Sequence, residues 1–179
     1  MKVIRTIFQD IESISAPTYK SQKLVLVVDM EEHFGLSTKS IAGLEKKMRL
    51  SLPGIFPMDG SDVVHSCGGQ GTDAEEHSFY EEIESGTDIP HLLEHVIMYL
   101  LSRRTNHCSA YCGQRSSDIA RGISTHYYIV VDCHSKLEAM IAADVGFRLI
   151  SSWLTGDAVT IDPHLMLEDM RKVIEPMFS

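Results

Sequence analysis

The 179 residues have an ordinary globular composition, 44% apolar with a formal net charge of −9, and this combination excludes several classes of protein. A general nucleic-acid binder is excluded because it needs clustered Lys and Arg to neutralise phosphates. No apolar run approaches the roughly 20 residues of a membrane span, and the chain meets Gln9 and Asp10 too early for a secretory signal. We therefore expect a cytoplasmic protein without nucleic-acid or membrane partners, folded as one domain over residues 1–179, and either monomeric or homo-oligomeric.

The first third of the chain predicts two strands and a helix. Residues 2–8 alternate apolar and polar side chains, and residues 23–30 form a β-branched run typical of a buried strand. Between them, residues 15–18 contain Ser and Pro and predict a turn. Apolar residues at helical spacing predict a helix over residues 40–52, which Pro53 ends.

The remaining elements are mostly helical. Residues 79–83 fit either a strand or the start of a helix. A helix capped by Thr87 or Asp88 is predicted to run to about residue 104, followed by a strand over 125–131. Two further helices are predicted, over residues 135–153 and 163–177. This order predicts an α+β fold, a two-layer sandwich of a mostly antiparallel sheet covered by helices.

The motif His91-Leu92-Leu93-Glu94-His95 places two imidazoles four residues apart on the helix predicted to run to about residue 104. Positions i and i+4 share a face of a helix, so both histidines can bind one metal ion while Glu94 stays close enough to act on a water molecule there. This is the HxxEH arrangement of one class of zinc hydrolases. A solvated polar face is the alternative interpretation, since the chain holds nine histidines. The apolar neighbours favour a buried, and therefore partnered, set of polar groups.

The four cysteines are Cys67, Cys108, Cys112 and Cys133. In a chain without a secretory signal they are expected to be thiols, available as soft metal ligands. Cys108 and Cys112, beside His107, have a spacing that permits a second metal site. The expected fourth ligand of such a structural site is not evident, so this alternative stays open.

Several segments together resemble the N-terminal domain of cyanophycin synthetase, an enzyme that builds a polymer of Asp and Arg. They lie between about residues 16 and 150, and each is quoted as it stands in this chain: APTYKS at 16–21, KLVLVVDMEE at 23–32, LP at 52–53, HSCG at 65–68, SGTDIPHLLEHV at 85–96, HYYIVVDC at 126–133 and KLEAMIAADVGFRLI at 136–150. The combination is far more specific than the histidine motif alone. The synthetase's ATP-grasp and ligase domains are not in this sequence, which is therefore not expected to make polymer by itself.

The resemblance implies a hidden zinc metallopeptidase that cuts the Asp/Arg polymer. Carried over to this chain, the Zn²⁺ ligands would be Cys67, His91 and His95, with Glu94 as the general base. Three such ligands leave a fourth tetrahedral position open, as in catalytic zinc sites. The expected partner is a peptide or polymer substrate whose peptide or isopeptide bonds are hydrolysed.

The chain departs from the family in two places. Residues 111–115 replace a segment rich in arginine and leave Arg115 as the matching substrate-binding residue. Cys67 lies 24 positions before the first motif histidine, a longer loop than the family pattern implies, so His65 and His77 are alternative metal ligands.

Two other functions remain open. One is a non-catalytic module that binds the polymer or a peptide. The other is an enzyme similar to S-ribosylhomocysteine lyases, which share HxLEH and a later cysteine, matched here only in part by residues 112–115.

Overall fold

The computed structural model describes residues 1–12, 20–53, 55, 79–102, 110–122 and 125–156, together with residues 162, 165, 168, 169 and 172. The turn predicted over residues 15–18 lies outside this part of the chain. Most of the helix predicted over residues 163–177 also lies outside it, although Leu165, Glu168, Asp169 and Lys172 are in helical conformation.

Nine helices and strands are named within the described residues, besides two short 3-10 helices at Glu31–His33 and Thr38–Ser40. In chain order they are β1 (Lys2–Glu12), β2 (Lys20–Asp29), α1 (Leu44–Ser51), α2 (Phe79–Ser85), α3 (Ile89–Ser102), β3 (Ala110–Gly113), α4 (Ser116–Ala120), β4 (His126–Cys133) and α5 (Lys136–Thr155).

The four strands form one sheet in the order β1-β2-β4-β3, and each neighbouring pair is antiparallel. Helices α3 and α5 pack against each other, and both contact the sheet. This arrangement confirms the α+β class. It places the strand that follows α3 at the edge of the sheet, next to the last strand.

The main core lies between the sheet and the two long helices, because alternate residues of a strand point to the same face. The strand residues on this face are Leu24, Leu26, Val28, Ile129 and Val131, all at most 2% exposed. From α3 the core receives Leu92, Leu93, Val96 and Ile97, and from α5 it receives Ala142, Val145, Leu149 and Ile150. Helix α3 is therefore buried around most of its circumference.

Helix α5 begins after Ser135, as the sequence predicts, and continues two residues past the predicted end at residue 153. Ser135 caps it by accepting a hydrogen bond from the Glu138 amide, and Gly156 ends it with φ 79°, a left-handed conformation that favours glycine. Gly146, in the middle of the helix, faces α3, where an added Cβ would lie 3.2 Å from Leu93 and 3.3 Å from Val96. The two helices therefore approach closely at this position. No helix among the described residues is both long and apolar enough to cross a membrane.

The structure corrects one local prediction, decides a second that the sequence left open, and adds two elements that the sequence did not predict. The helix expected from residue 40 begins at Leu44, because Thr38–Ser40 form a 3-10 turn and Gly43 takes a left-handed conformation, φ 64°. Residues 79–85 are helical, which settles the ambiguity there. The polar stretch after α3 contains β3 and α4, which periodicity missed because elements of four and five residues are too short to show it.

Replacing Gly146 with Val is expected to destabilise the protein by about 1–3 kcal/mol, because the new methyl groups would overlap α3. Urea unfolding monitored by circular dichroism measures this change. Met140→Val introduces the same β-branched residue into α5 at a position that is 54% exposed, and it should cost far less. Equal losses in both variants would contradict the close approach of the two helices.

Candidate metal centre

Three polar side chains of α3 converge on one point. The Nε2 atoms of His91 and His95 lie 3.1 Å apart, and a carboxylate oxygen of Glu94 lies 3.6 Å from the His91 Nε2. The ligand atoms of all three residues lie within 4.8 Å of one another. The positions i, i+3 and i+4 thus share one face, as the sequence predicts.

The spacing of these atoms fits a metal ion. Two nitrogens bound at about 2.0–2.1 Å to a tetrahedral zinc ion lie roughly 3.3 Å from each other, close to the distance between the two imidazoles. The His91–Glu94 distance fits the same geometry. The described residues therefore contain a group that could hold a metal ion, which supports the metal-binding part of the prediction.

His91 is oriented by the residue that precedes α3 by two positions. The Oγ1 atom of Thr87 lies 2.7 Å from the His91 Nδ1. A metal-bound histidine usually donates its second ring N–H to a neighbouring oxygen, which fixes the tautomer and the ring plane. Thr87 can accept that hydrogen bond, and the His91 Nε2 then faces His95.

The loop that carries Thr87 is held in place by its neighbours. The Thr38 amide donates to the Thr87 carbonyl at 2.8 Å, and Ser37 forms an antiparallel bridge with Asp88. Asp88 starts α3, because its carbonyl accepts the first helical hydrogen bonds. The Tyr127 hydroxyl donates to the Asp88 carboxylate at 3.0 Å. The first turn of α3 is thus attached to both the 3-10 turn and β4.

Burial governs the protonation of the site. Glu94 is fully buried, His95 is 4% exposed and the His91 side chain is 20% exposed. Burial lowers the pKa of His91, although the charges of Glu82 and Asp88 oppose this shift. Burial also raises the pKa of Glu94 to about 8. His91 therefore favours the neutral form that binds metals, and a cation beside Glu94 would favour the ionised carboxylate.

Strands β3 and β4 of the sheet lie against α3. Cys112 pairs with Ile129 in the register of β3 and β4, so its side chain points to the face that the helices cover. Burial raises the pKa of the Cys112 thiol, and the charges of Glu94 and Asp88 raise it further. This shift agrees with the direction of the Cys112 side chain towards α3.

Several predicted residues are not brought into the site. Cys67, His65 and His77 lie outside the described residues, so their roles as ligands stay predictions. The same holds for Cys108. Cys112, its proposed partner in a second site, lies on β3 and points to the face that the helices cover, so the second site also stays a prediction.

Arg115 lies just before α4, beyond the end of β3. Its guanidinium carbon sits 4.4 Å above the centre of the Tyr128 ring, and Tyr128 donates a hydrogen bond of 2.7 Å to Asp118. Tyr128 follows Tyr127 in β4, and successive side chains point to opposite faces of a strand. Arg115 therefore contacts the face away from α3. Its role in substrate binding stays a prediction.

Sequence reasoning missed four residues of the site: Thr87 and Asp88 as neighbours of His91, and Cys112 and Tyr127 on the sheet. Thr87 could have been found, because it lies four positions before His91 and such pairs meet on a helix surface. The two sheet residues could not, since their position depends on the strand order.

Comparison with known proteins gives one family. The model of the cyanophycin synthase-like N-terminal domain matches residues 25–155, well over half of the chain. No curated protein matches the chain significantly.

Removing the hydroxyl of Thr87 should weaken metal binding. We expect Thr87→Val to lower the affinity for Zn²⁺ about 10-fold, the effect typical of losing the partner of a metal-bound histidine. Thr87→Ser keeps the oxygen and serves as the control, with an affinity close to that of the wild type. Competition with a chromogenic chelator measures both values. An unchanged affinity in Thr87→Val would show that the hydrogen bond does not orient the ligand.

Proposed function

Because the chain belongs to the cyanophycin synthase-like N-terminal domain family, we propose that it is a zinc-dependent hydrolase of peptide or isopeptide bonds. The observation that carries this proposal is the convergence of the His91, Glu94 and His95 donor atoms within 4.8 Å. His91 and His95 bind the metal ion, and a cysteine thiolate is the third ligand. Cys67 is the cysteine that the sequence predicts for this position.

The roles of the residues follow from their chemistry. Zinc at this site would supply a Lewis acid that polarises the scissile carbonyl and acidifies water. Glu94, next to both imidazoles, accepts a proton from the attacking water and returns it to the leaving amine. Its burial excludes bulk water and strengthens each electrostatic interaction within the site. The hydrogen bond with Thr87 orients the imidazole of His91, and the lowered pKa of His91 favours the neutral form that binds metal.

We propose peptides of Asp and Arg, similar to cyanophycin, as substrates. The charges of Glu82 and Asp88 act to raise the pKa of His91, the more exposed of the two histidines. Asp88 is itself exposed. Two carboxylates on the accessible side of the site favour a cationic group such as guanidinium. The overall charge of −9 acts in the same direction.

A non-catalytic binding module is the second candidate, and burial favours it. Glu94 is fully buried and His95 nearly so, as expected when a metal only holds the helix against its surroundings. In this case the metal stabilises the domain, and the acidic surface binds the peptide without cleaving it.

Glu94→Gln separates the two candidates. If the protein is a hydrolase, the variant should keep one Zn²⁺ per chain and lose activity by about 10²–10⁴-fold, because glutamine cannot accept the proton. Elemental analysis measures the metal, and mass spectrometry follows cleavage of β-linked Asp-Arg peptides. His91→Ala is the control that should lose the metal. Peptide binding without cleavage in the wild type, retained in both variants, would instead establish the binding module.

Neutralising the acidic side of the site should weaken recognition of cationic peptides. We expect Glu82→Gln combined with Asp88→Asn to raise KM several-fold, since exposed ion pairs contribute about 0.2–1 kcal/mol each. Peptides with citrulline in place of arginine keep the shape without the charge, and their KM should not change between wild type and variant. An equal effect on both peptides would exclude charge recognition by these residues.

A further inference from the structure

We propose that Cys112 is the thiolate ligand that completes the metal site of His91 and His95, in the position that the sequence predicts for Cys67. This assignment rests on the proposed function, because it requires that the two histidines bind a metal ion. It concerns which cysteine is used and therefore which part of the fold supplies the third ligand.

The direction of the Cys112 side chain is the first argument. Cys112 is opposite Ile129 in the antiparallel register, and Ile129 is a fully buried residue of the core between sheet and helices. Residues directly opposite each other in such a pair point to the same face. Cys112 therefore points towards the layer that contains α3, and α3 packs directly against β3.

The position of Cys112 along α3 is the second argument. Its thiol interacts electrostatically with Glu94 and with Asp88, which lie on either side of His91 in sequence. The charge of Cys112 also raises the pKa of Tyr127, whose hydroxyl donates a hydrogen bond to Asp88. Tyr127 and Ile129 are alternate residues of β4, so Cys112, opposite Ile129, shares a face of the sheet with Tyr127, which binds the start of α3.

The chemistry of the ligand set is the third argument. Two neutral imidazoles and one thiolate form a known catalytic zinc set, which leaves a fourth position for water or substrate. The Zn–S bond forms as the S–H bond breaks, and the thiol proton is released to solvent. With Cys112 as the third ligand, the Glu94 carboxylate stays available as the base.

Completing the site requires the Cys112 sulfur to approach the two imidazoles, because Cys112 lies outside the group of donor atoms that are within 4.8 Å of one another. A change between staggered χ1 positions moves a cysteine sulfur by roughly 3 Å without moving the backbone. Such a rotation leaves the pairing of strand β3 with β4 intact. Ligands on a helix and a strand also hold the metal more precisely than a loop ligand does.

Cobalt(II) substitution tests this assignment, because Co²⁺ bound to a thiolate shows a sulfur-to-metal charge-transfer absorption that nitrogen and oxygen ligands do not produce. Cys112→Ser and Cys67→Ser form the matched pair, and each is loaded with Co²⁺ under the same conditions. We expect Cys112→Ser to lose the charge-transfer band and to bind Co²⁺ about 10-fold or more weakly. Cys67→Ser should keep both the band and the affinity.

Zinc-edge X-ray absorption of Cys67→Ser gives a second measurement that does not depend on the folding of the Cys112 variant. We expect one sulfur at about 2.3 Å from the metal. Loss of the sulfur signal in Cys67→Ser, with the band intact in Cys112→Ser, would overturn the assignment and establish Cys67.

Failure of the proposed function gives a different result. Cobalt bound through His91 and His95 without any charge-transfer band would overturn the thiolate assignment and leave the hydrolase proposal standing. A wild-type protein that binds neither Co²⁺ nor Zn²⁺ would overturn both.

Discussion

The candidate site depends on one physical constraint, the complete burial of a carboxyl group, Glu94, on helix α3. Helix α3 is apolar around most of its circumference, so its packing buries the polar residues of its first turns as well. A carboxylate without exposure is costly unless it takes up a proton or has a cation beside it, and burial raises its pKa to about 8 accordingly. A metal ion held by His91 and His95 would remove this cost. The packing of α3 thus buries both its apolar residues and the polar group that could hold a metal ion.

The first turn of α3 must be rigid for this arrangement to bind a metal selectively. Thr87 contributes a backbone carbonyl to Thr38 and a side-chain oxygen to His91, so one residue connects the fold to the first ligand. Asp88 attaches the start of α3 to the rest of the fold through its backbone bridge to Ser37 and through the hydrogen bond that its carboxylate accepts from Tyr127. Supporting contacts of this kind limit the movement of metal-binding side chains. The 3-10 turn before α1 therefore serves the site although it lies far from it in sequence.

The sequence allows prediction of those parts of the fold whose periodicity is long. The strands β1, β2 and β4 and the helices α3 and α5 were found with errors of a few residues at their ends, because each spans enough residues to show a period of 2 or 3.6. Strand β3 was missed because four residues carry no such signal and its neighbours are polar. The position of β3 at the sheet edge, beside β4, depends on tertiary packing.

The residues of the candidate site also differ in whether the sequence alone predicts them. His91, Glu94 and His95 follow from helix geometry alone, since their spacing places them on one face in any helix. Cys112 is 17 positions beyond His95 in sequence, and only its pairing opposite Ile129 directs it towards α3. For Cys67, His65 and His77 the prediction still rests on the sequence.

The way the site is exposed connects its chemistry with its specificity. Of the three converging residues, His91 is the most exposed, with 20% of its side chain accessible, so a substrate of the proposed hydrolase would approach from its side. The carboxylates of Glu82 and Asp88 interact electrostatically with His91. In the proposed hydrolase, recognition by these carboxylates would occur near solvent, where ion pairs are weak and reversible, while Glu94 would act in the interior, where the same charge has a much larger effect. Under this proposal a single stretch of chain, residues 82–95, would supply weak selection of cationic groups near solvent and strong electrostatic catalysis in the interior, and the packing of α3 on the sheet would keep the two apart.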